Sequence, residues 1–277
     1  DKMVFNKNIF QVWLQGSQNL TVSKFKINSE NWKNLNSDWN YVFVDDAKIK
    51  EACGQYSSEC LQAYNEFDLL HLKVDFGRFV LLYLYGGIYV DMDMYILRPL
   101  NYSKYVNEVI KDSEKGDILA IGNTYVNIFE SLVYNGSINS INNAYMISTP
   151  RNPIIKDLID TLITRWKNSK VKYNSLTDST EKINLITGPQ FINKFFRKYI
   201  DEPSLHNVKV IPYFVFEPCD ISSNCYINDE TISIHKFEMS WVSKNYKSLV
   251  LFYYNIKSYL YIFIIYSKLI SSIYIIN

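Results

Sequence analysis

Apolar positions along the chain follow two periods, and their alternation outlines the fold. Residues 9–14, IFQVWL, form a short apolar run closed by Gly16 and read as a first strand. A stretch around Ser29 and Trp32 reads as a helix capped at Ser29, and residues 41–44, YVFV, make a second strand running into Asp45 and Asp46. Those two acids suit the cap of the helix that follows. Residues 47–67 carry helical periodicity in two pieces, broken around 54–58. From 66 to 85, Leu69, Leu72, Val74, Phe76, Phe79, Val80, Leu82 and Leu84 recur at helical intervals around most of the circumference, which predicts a buried helix. Gly86 and Gly87 end it, and Ile88, Tyr89 and Val90 make a short β-prone run.

The second half continues the alternation. Residues 117–121 predict a strand, and 153–167 a helix whose stripe of Ile154, Leu158, Leu162 and Trp166 faces the core. Pro189 opens another helix, with Phe191, Ile192, Phe195 and Phe196 inward. Residues 208–216 read as β, and 231–235 as a short strand ending in His235. Strand, helix, strand, acidic turn is the opening of a nucleotide-binding α/β unit.

Residues 249–277 break the pattern, being nearly all apolar or tyrosine with only Lys257 and Lys268 charged. Their uncharged run 258–267 is short of the roughly 20 residues a spanning helix needs. Lys257 and Lys268 share one helical face, which describes an interfacial helix contacting a membrane; packing against the preceding domain and a spanning segment with displaced lysines are the alternatives. The expected organisation is one α/β domain over 1–247 and an apolar helical tail over 248–277.

Composition adds bounds. With 277 residues, 48% of them hydrophobic, the chain can bury a large core, and a formal net charge of +1 gives no footprint for nucleic acid. The four cysteines fall in two close pairs, Cys53 with Cys60 and Cys219 with Cys225, neither at zinc-finger spacing. Free thiols are the plain reading; in an oxidising lumen each pair can close a small loop, the second being the better placed. Sequons at Asn19, Asn101 and Asn135 fit the lumen of the secretory pathway, and with the tail a membrane-associated location there, although an asparagine-rich chain also yields sequons by chance. The chain begins at Asp1 without a visible signal peptide, as a trimmed or fused chain would.

The chemistry centres on residues 75–93. Asp91 and Asp93 stand at the end of the 88–90 run and supply hard oxygen ligands suited to Mg²⁺ or Mn²⁺. An Asp-x-Asp alone is most often a solvated turn, but here it follows Asp75 and Arg78, three apart on one face of an otherwise apolar helix. Buried ions need partners. Asp75 and Arg78 therefore form either a structural ion pair or a polar ligand site beside a metal.

The joint pattern, Asp75-Phe76-Gly77-Arg78, an apolar stretch, then Tyr85-Gly86-Gly87-Ile88-Tyr89-Val90-Asp91-Met92-Asp93, resembles that of DXD-containing GT-A glycosyltransferases. These include initiating mannosyltransferases, inositol-phosphoceramide mannosyltransferases and, more distantly, large glucosylating toxins. The family has a serine before the first Asp; here Val74 stands there. Further matches at Trp13, Asn143, 187–189 and 235–241 spread the resemblance over most of the chain.

The resemblance implies a GT-A-type fold, a mixed central sheet flanked by helices, and a metal-dependent retaining hexosyltransferase. Its donor would be a UDP- or GDP-sugar, its cation Mn²⁺ or Mg²⁺, and its acceptor a glycan, lipid or protein. On that basis Asp91, Asp93 and His235 hold the metal, with imidazole better suited to Mn²⁺ than to Mg²⁺. Asp75 and Arg78 fix sugar hydroxyls, Asn143 lies beside the sugar, and Trp13 stacks on the base. Asp91, Ser240 and Trp241 bind the donor, with Lys236 or Ser240 at the diphosphate. Each has a plainer reading: a core tryptophan, a turn asparagine, a hydrogen-bonded strand-end histidine. Two competitors stand beside the enzyme reading. A catalytically inactive sugar-nucleotide or glycan-binding module would keep the site without turnover. An aspartyl-nucleophile phosphohydrolase would want Thr or Val where Tyr95 stands.

Overall fold

The computed structural model describes residues 5–20, 25–125, 139–201, 207–219 and 225–236. The tail 248–277, Ser240 and Trp241 lie outside the described residues. The architecture is α/β, a six-stranded mixed sheet with helices on both faces. Its strands are β1 (Asn8–Val12), β2 (Asn40–Val44), β3 (Gly87–Val90), β5 (Leu119–Tyr125), β6 (Asn139–Ser148) and β7 (Val208–Ile211), in the order β2-β1-β3-β6-β5-β7. β1 runs parallel to β2 and β3, β6 is antiparallel to β3 and β5, and β7 is parallel to β5. A separate antiparallel pair joins β4 (Met94–Ile96) to β8 (Ser233–His235).

Alternation along the strands splits the core in two, as a pleated sheet covered on both sides requires. Phe10, Val12, Tyr89, Leu119, Ile121 and Met146 face one layer. It is built on α3 (Asp46–Tyr56), α4 (Ser58–Glu66), α5 (Leu70–Tyr85) and the long helix Pro153–Asn174. Ile9, Ile88, Val90, Ala120, Tyr145 and Ile147 face the other, with Trp32 of α2 (Phe25–Leu35) and Val106 and Val109 of α6 (Lys104–Ser113). Among the described residues the chain also forms α1 (Ser17–Leu20), α7 (Pro153–Asn174), α8 (Ser179–Ile186), α9 (Pro189–Ile200) and α10 (Tyr213–Phe216).

Several boundaries differ from the sequence reading. Ser29 is no cap: α2 begins at Phe25, and Ser29 is buried within it. The central helix starts at Leu70, not 66, because Phe67 turns extended and wedges its ring between Phe76 and Trp166, 5.5 and 4.8 Å away. The strand predicted over 208–216 stops at Ile211. Pro212 cannot donate to the ladder, and Tyr213–Phe216 close a helical turn instead. The helix from Pro153 outruns its predicted end by seven residues, keeping Tyr173 against Trp166.

The join between α5 and β3 needs both glycines. Gly86 has φ +62°, and a Cβ there would stand 2.6 Å from Pro150; Gly87 has φ +115°, and its Cβ would stand 2.5 Å from the Asn8 carbonyl. Only glycine combines those torsions with that approach to β1. Asn8 Nδ2 donates to the carbonyls of Tyr85 and Gly86, at 3.2 Å each, and fixes the turn to β1. The turn thereby aims β3, and the acids after it, along the parallel β1–β2 pair.

Candidate active site

Phe10 pairs with Tyr89 and Val12 with Val44, so Trp13, Asp45 and Asp91 emerge at one carboxyl edge of parallel strands, where open α/β sheets place their ligands. Beyond Val90 the chain leaves the extended path and turns at Met92 and Asp93. Helix α2 holds that turn: Asn28 Nδ2 donates to the Met92 and Met94 carbonyls at 2.8 Å each, and Trp32 Nε1 to Met94 at 2.7 Å. Met94 pairs with His235 across β4 and β8, which carries the imidazole to the acids. Ligand atoms of Asp91, Asp93 and His235 all lie within 4.8 Å of one another. Ligands of an octahedral ion with bonds of about 2.1 Å stand roughly 3–4 Å apart, so small side-chain movements suffice to close the set.

Beneath these residues is a buried polar cluster. Arg78 Nη2 lies 2.6 Å from Asp75 Oδ1, and its Nη1 donates to the Asn143 carbonyl at 2.5 Å and reaches Asp91 Oδ1 at 3.2 Å. Its guanidinium carbon sits 4.4 Å from the centre of the Tyr89 ring. Asp75 also accepts from Thr187 Oγ1 at 2.8 Å and from Asn143 Nδ2 at 3.5 Å. Tyr89 donates to Asp91 Oδ1 at 2.5 Å, and Gln11 Nε2 to the Asp91 carbonyl at 3.2 Å. Asp75, Arg78, Asn143, Asp91, Asp93 and His235 thus form one connected group.

A break in strand register shapes the far wall. Ile121 pairs with Met146, yet Gly122 pairs with Asn142, so residues 143–145 of β6 bulge out of the β5 ladder. The bulge presents the Asn143 carbonyl to Arg78 and the Ala144 carbonyl to the Asp91 amide, 2.8 Å away.

Four carboxylates, Asp75, Asp91, Asp93 and Glu217, face the Arg78 guanidinium and the His235 imidazole here, with His71, whose charged form burial disfavours, near Asp75. Burial pushes the Asp91 carboxyl up to about 6; Arg78 pulls it down and Asp93 adds to the rise. Burial also raises Asp75, against the pull of Arg78. Burial works against a charge on His235, but Glu217 and Asp93 outweigh it and hold the imidazole well above its usual range. A surplus of buried negative charge with an O, O, N donor set fits a divalent cation of the Mn²⁺ type. Asp91, Asp93 and His235 are the residues that can hold it.

Trp13 is half-buried at the end of β1, its ring 5.3 Å from Phe25 and its Nε1 buried without a partner among the described residues. Lys236 donates its backbone amide to the Asp93 carbonyl at 3.1 Å, while its side chain extends over Tyr95, 6.0 Å from the ring centre. Ser240 and Trp241 cannot be placed. The sequence reading missed Glu217, Gln11, Asn28 and Tyr89. For Tyr89 a signal existed, since i and i+2 on a strand put it on the same face as Asp91. For Glu217 the signal was an acid inside the apolar run 213–218.

Residues 23–116 match the family described as a glycosyltransferase sugar-binding region containing a DXD motif. An uncharacterized glycosyltransferase of Acanthamoeba polyphaga mimivirus is 24% identical over 225 residues, covering 79% of either chain. The initiation-specific alpha-1,6-mannosyltransferase of Candida albicans is 28% identical over 122 residues, 43% of this chain and 32% of that protein. Inositol phosphoceramide mannosyltransferase 1 of Schizosaccharomyces pombe is 22% identical over 217 residues, 77% of this chain and 58% of the relative. The chain therefore spans about a third and somewhat over half of the two fungal enzymes' lengths. Among solved structures, PaToxG glycosyltransferase aligns at 17% identity over 73% of this chain and 71% of its own, with a TM-score of 0.45.

The chain is accordingly a glycosyltransferase. Its likeness is to the DXD-containing enzymes, mannosyltransferases among them, and the motif that carries it is the one the fold brings beside Arg78 and His235.

Proposed function

We propose that the protein is a metal-dependent, retaining hexosyltransferase that takes its sugar from a UDP- or GDP-sugar and passes it to a glycan, glycolipid or protein acceptor. The observation that carries this reading is the convergence of Asp91, Asp93 and His235 above the buried Asp75–Arg78–Asn143 group. Asp91, Asp93 and His235 hold Mn²⁺ or Mg²⁺, which when bound offsets negative charge on the departing nucleoside diphosphate. Asp75 accepts from sugar hydroxyls, its carboxylate kept in place by Arg78 and Thr187. Asn143 offers an amide to the same sugar. Trp13 covers the base with its indole face, and Ser240 and Trp241 are assigned to donor binding by the resemblance alone. Retention of configuration is carried over from the family.

The Cys219–Cys225 disulfide supports an oxidising compartment and hence a lumenal location; Cys53 and Cys60 are free and buried. No helix among the described residues is long and apolar enough to cross a membrane. Membrane contact is assigned to the tail 248–277, outside the domain 1–247. The test is a panel of UDP- and GDP-sugars with Mn²⁺, scored for nucleotide release. Release from one donor, dependent on the cation, supports the reading; donor binding without turnover would point to an inactive module.

A further inference from the structure

Glu217 is fully buried, with 0% exposure, at the end of α10, between Phe216 and Pro218. Burying an ionised carboxylate is costly unless it is paired, and a buried ion pair seldom improves on apolar packing for stability. The residues before it in α10, Val215 and Phe216, are apolar and buried, and Phe216 stacks on Tyr145 at 4.0 Å. Fold stability therefore gives little reason for an acid here.

The contacts give another. Glu217 Oε1 lies 3.1 Å from Nδ1 of His235, and the opposite ring nitrogen, Nε2, lies 3.3 Å from Asp93 Oδ1. The imidazole is held between two carboxylates, one at each nitrogen. Glu217 Oε2 is fixed in turn by Asn142 Nδ2 at 2.5 Å and Thr124 Oγ1 at 3.2 Å. Asn142 Oδ1 accepts from the Ala144 amide at 2.7 Å, and the Ala144 carbonyl accepts from the Asp91 amide at 2.8 Å. Glu217 thus touches the histidine directly and reaches Asp91 through the β6 bulge. It lies outside the residues 23–116 that match the family description.

We infer that Glu217 is a positioning residue of the cation site: it holds the His235 ring with Nδ1–H toward itself and the Nε2 lone pair toward Asp93 and Asp91, and ties that ring to the bulge that sets Asp91. The inference rests on the metal-dependent reading above. A carboxylate on the outer nitrogen of a metal-ligating histidine fixes its tautomer and orientation, and losing one typically weakens metal binding about 10- to 100-fold.

The test is Mn²⁺ titration of the full chain, followed by electron paramagnetic resonance, for wild type, Glu217→Gln, His235→Ala and the double variant, with thermal unfolding of each metal-free protein. Glu217→Gln keeps the volume, and it should weaken Mn²⁺ binding about 10- to 100-fold in the wild-type background. In the His235→Ala background it should cost far less, because most of its effect passes through the imidazole and only the link through the β6 bulge remains. Equal losses in both backgrounds overturn the inference, as does undiminished binding in Glu217→Gln. Asn142→Ala supplies a second handle should Glu217→Gln fail to fold: weaker Mn²⁺ binding is expected, and unchanged binding counts against the link. Absence of Mn²⁺ binding by wild type would remove the metal reading and this inference together, whereas binding by wild type that Glu217→Gln leaves intact removes only the inference.

Discussion

Arg78→Lys separates a structural ion pair from a working one. The guanidinium is about as buried as a charge can be, with 5% of its side chain exposed, and it serves Asp75, Asp91 and the Asn143 carbonyl at once while lying over Tyr89. A lysine ammonium keeps the charge but has one nitrogen and no planar fork, so it can hold one carboxylate and must release the other groups. A carbonyl left buried without a donor costs about 1–3 kcal/mol, and a lost charge-assisted hydrogen bond about 1.5–3 kcal/mol. The sum, about 2.5–6 kcal/mol, brackets the ~3–5 kcal/mol that breaking a buried ion pair typically costs. Against a native stability of about 5–15 kcal/mol the fold should survive. Because Asp75 and Asp91 both lose their common anchor, turnover should fall further than the folded population does, by about 100-fold or more in kcat/KM, or about 3 kcal/mol at the transition state. Urea unfolding gives the first quantity, and Mn²⁺-supported nucleotide release at a temperature where the variant is folded gives the second. A folded variant with wild-type turnover would refute the reasoning, and unfolding with normal turnover in the folded fraction would make the pair structural.

Asp93→Asn should abolish turnover and weaken Mn²⁺ binding, because an amide is a neutral and poorer ligand for a hard cation; Asp91→Asn should behave nearly the same, and near wild-type turnover in either counts against the DXD assignment. Mn²⁺ affinity should rise with pH through about 6, the value to which Asp91 is pushed, since the cation takes the ionised carboxylate and displaces a proton. His235, held above its usual range, extends that rise to higher pH, and titrations giving one affinity from acid to neutral pH would contradict it. Gly87→Ala should destabilise by about 2 kcal/mol or more, from its φ of +115° and the Asn8 carbonyl in the way of a Cβ, with a lowered melting temperature as readout. Removing the residues after 247 should release the protein from liposomes while sparing sugar-nucleotide hydrolysis; an unfolded truncation would assign the tail to the core instead.

The part of the site carried by continuous local pattern was legible in the sequence. Asp75 and Arg78 share a helical face by their spacing, Gly86 and Gly87 announce the turn, and Asp91 follows three β-prone residues, so one stretch gives a helix, a strand and the acids between them. His235 was legible as a strand-end histidine, though not the β4–β8 pairing that sets it opposite Met94. What the sequence hid depends on chain segments meeting. Asn28 and Trp32 anchor the Met92–Met94 backbone from more than 60 residues away, and no periodicity marks them for that. The register break at Ile121 and Gly122 aims the Asn143 and Ala144 carbonyls, a consequence of pairing that strand propensity does not express. Glu217 follows the run that reads as β and was passed over; its role emerges only because Pro212 ends that strand and α10 brings the acid to His235. Ser29 misled because a serine before a tryptophan resembles a cap, whereas burial of Asn28 and Trp32 on one face extends the helix N-terminally past it.

The most direct test of the central claim is anomalous diffraction at the manganese edge from crystals soaked with Mn²⁺ and a nucleoside diphosphate. One strong peak is expected between the carboxylates of Asp91 and Asp93 and Nε2 of His235, with the diphosphate beside it and Arg78 still bridging Asp75 and Asp91. A peak elsewhere, or diphosphate bound in the cleft with no manganese at these three residues, would contradict it.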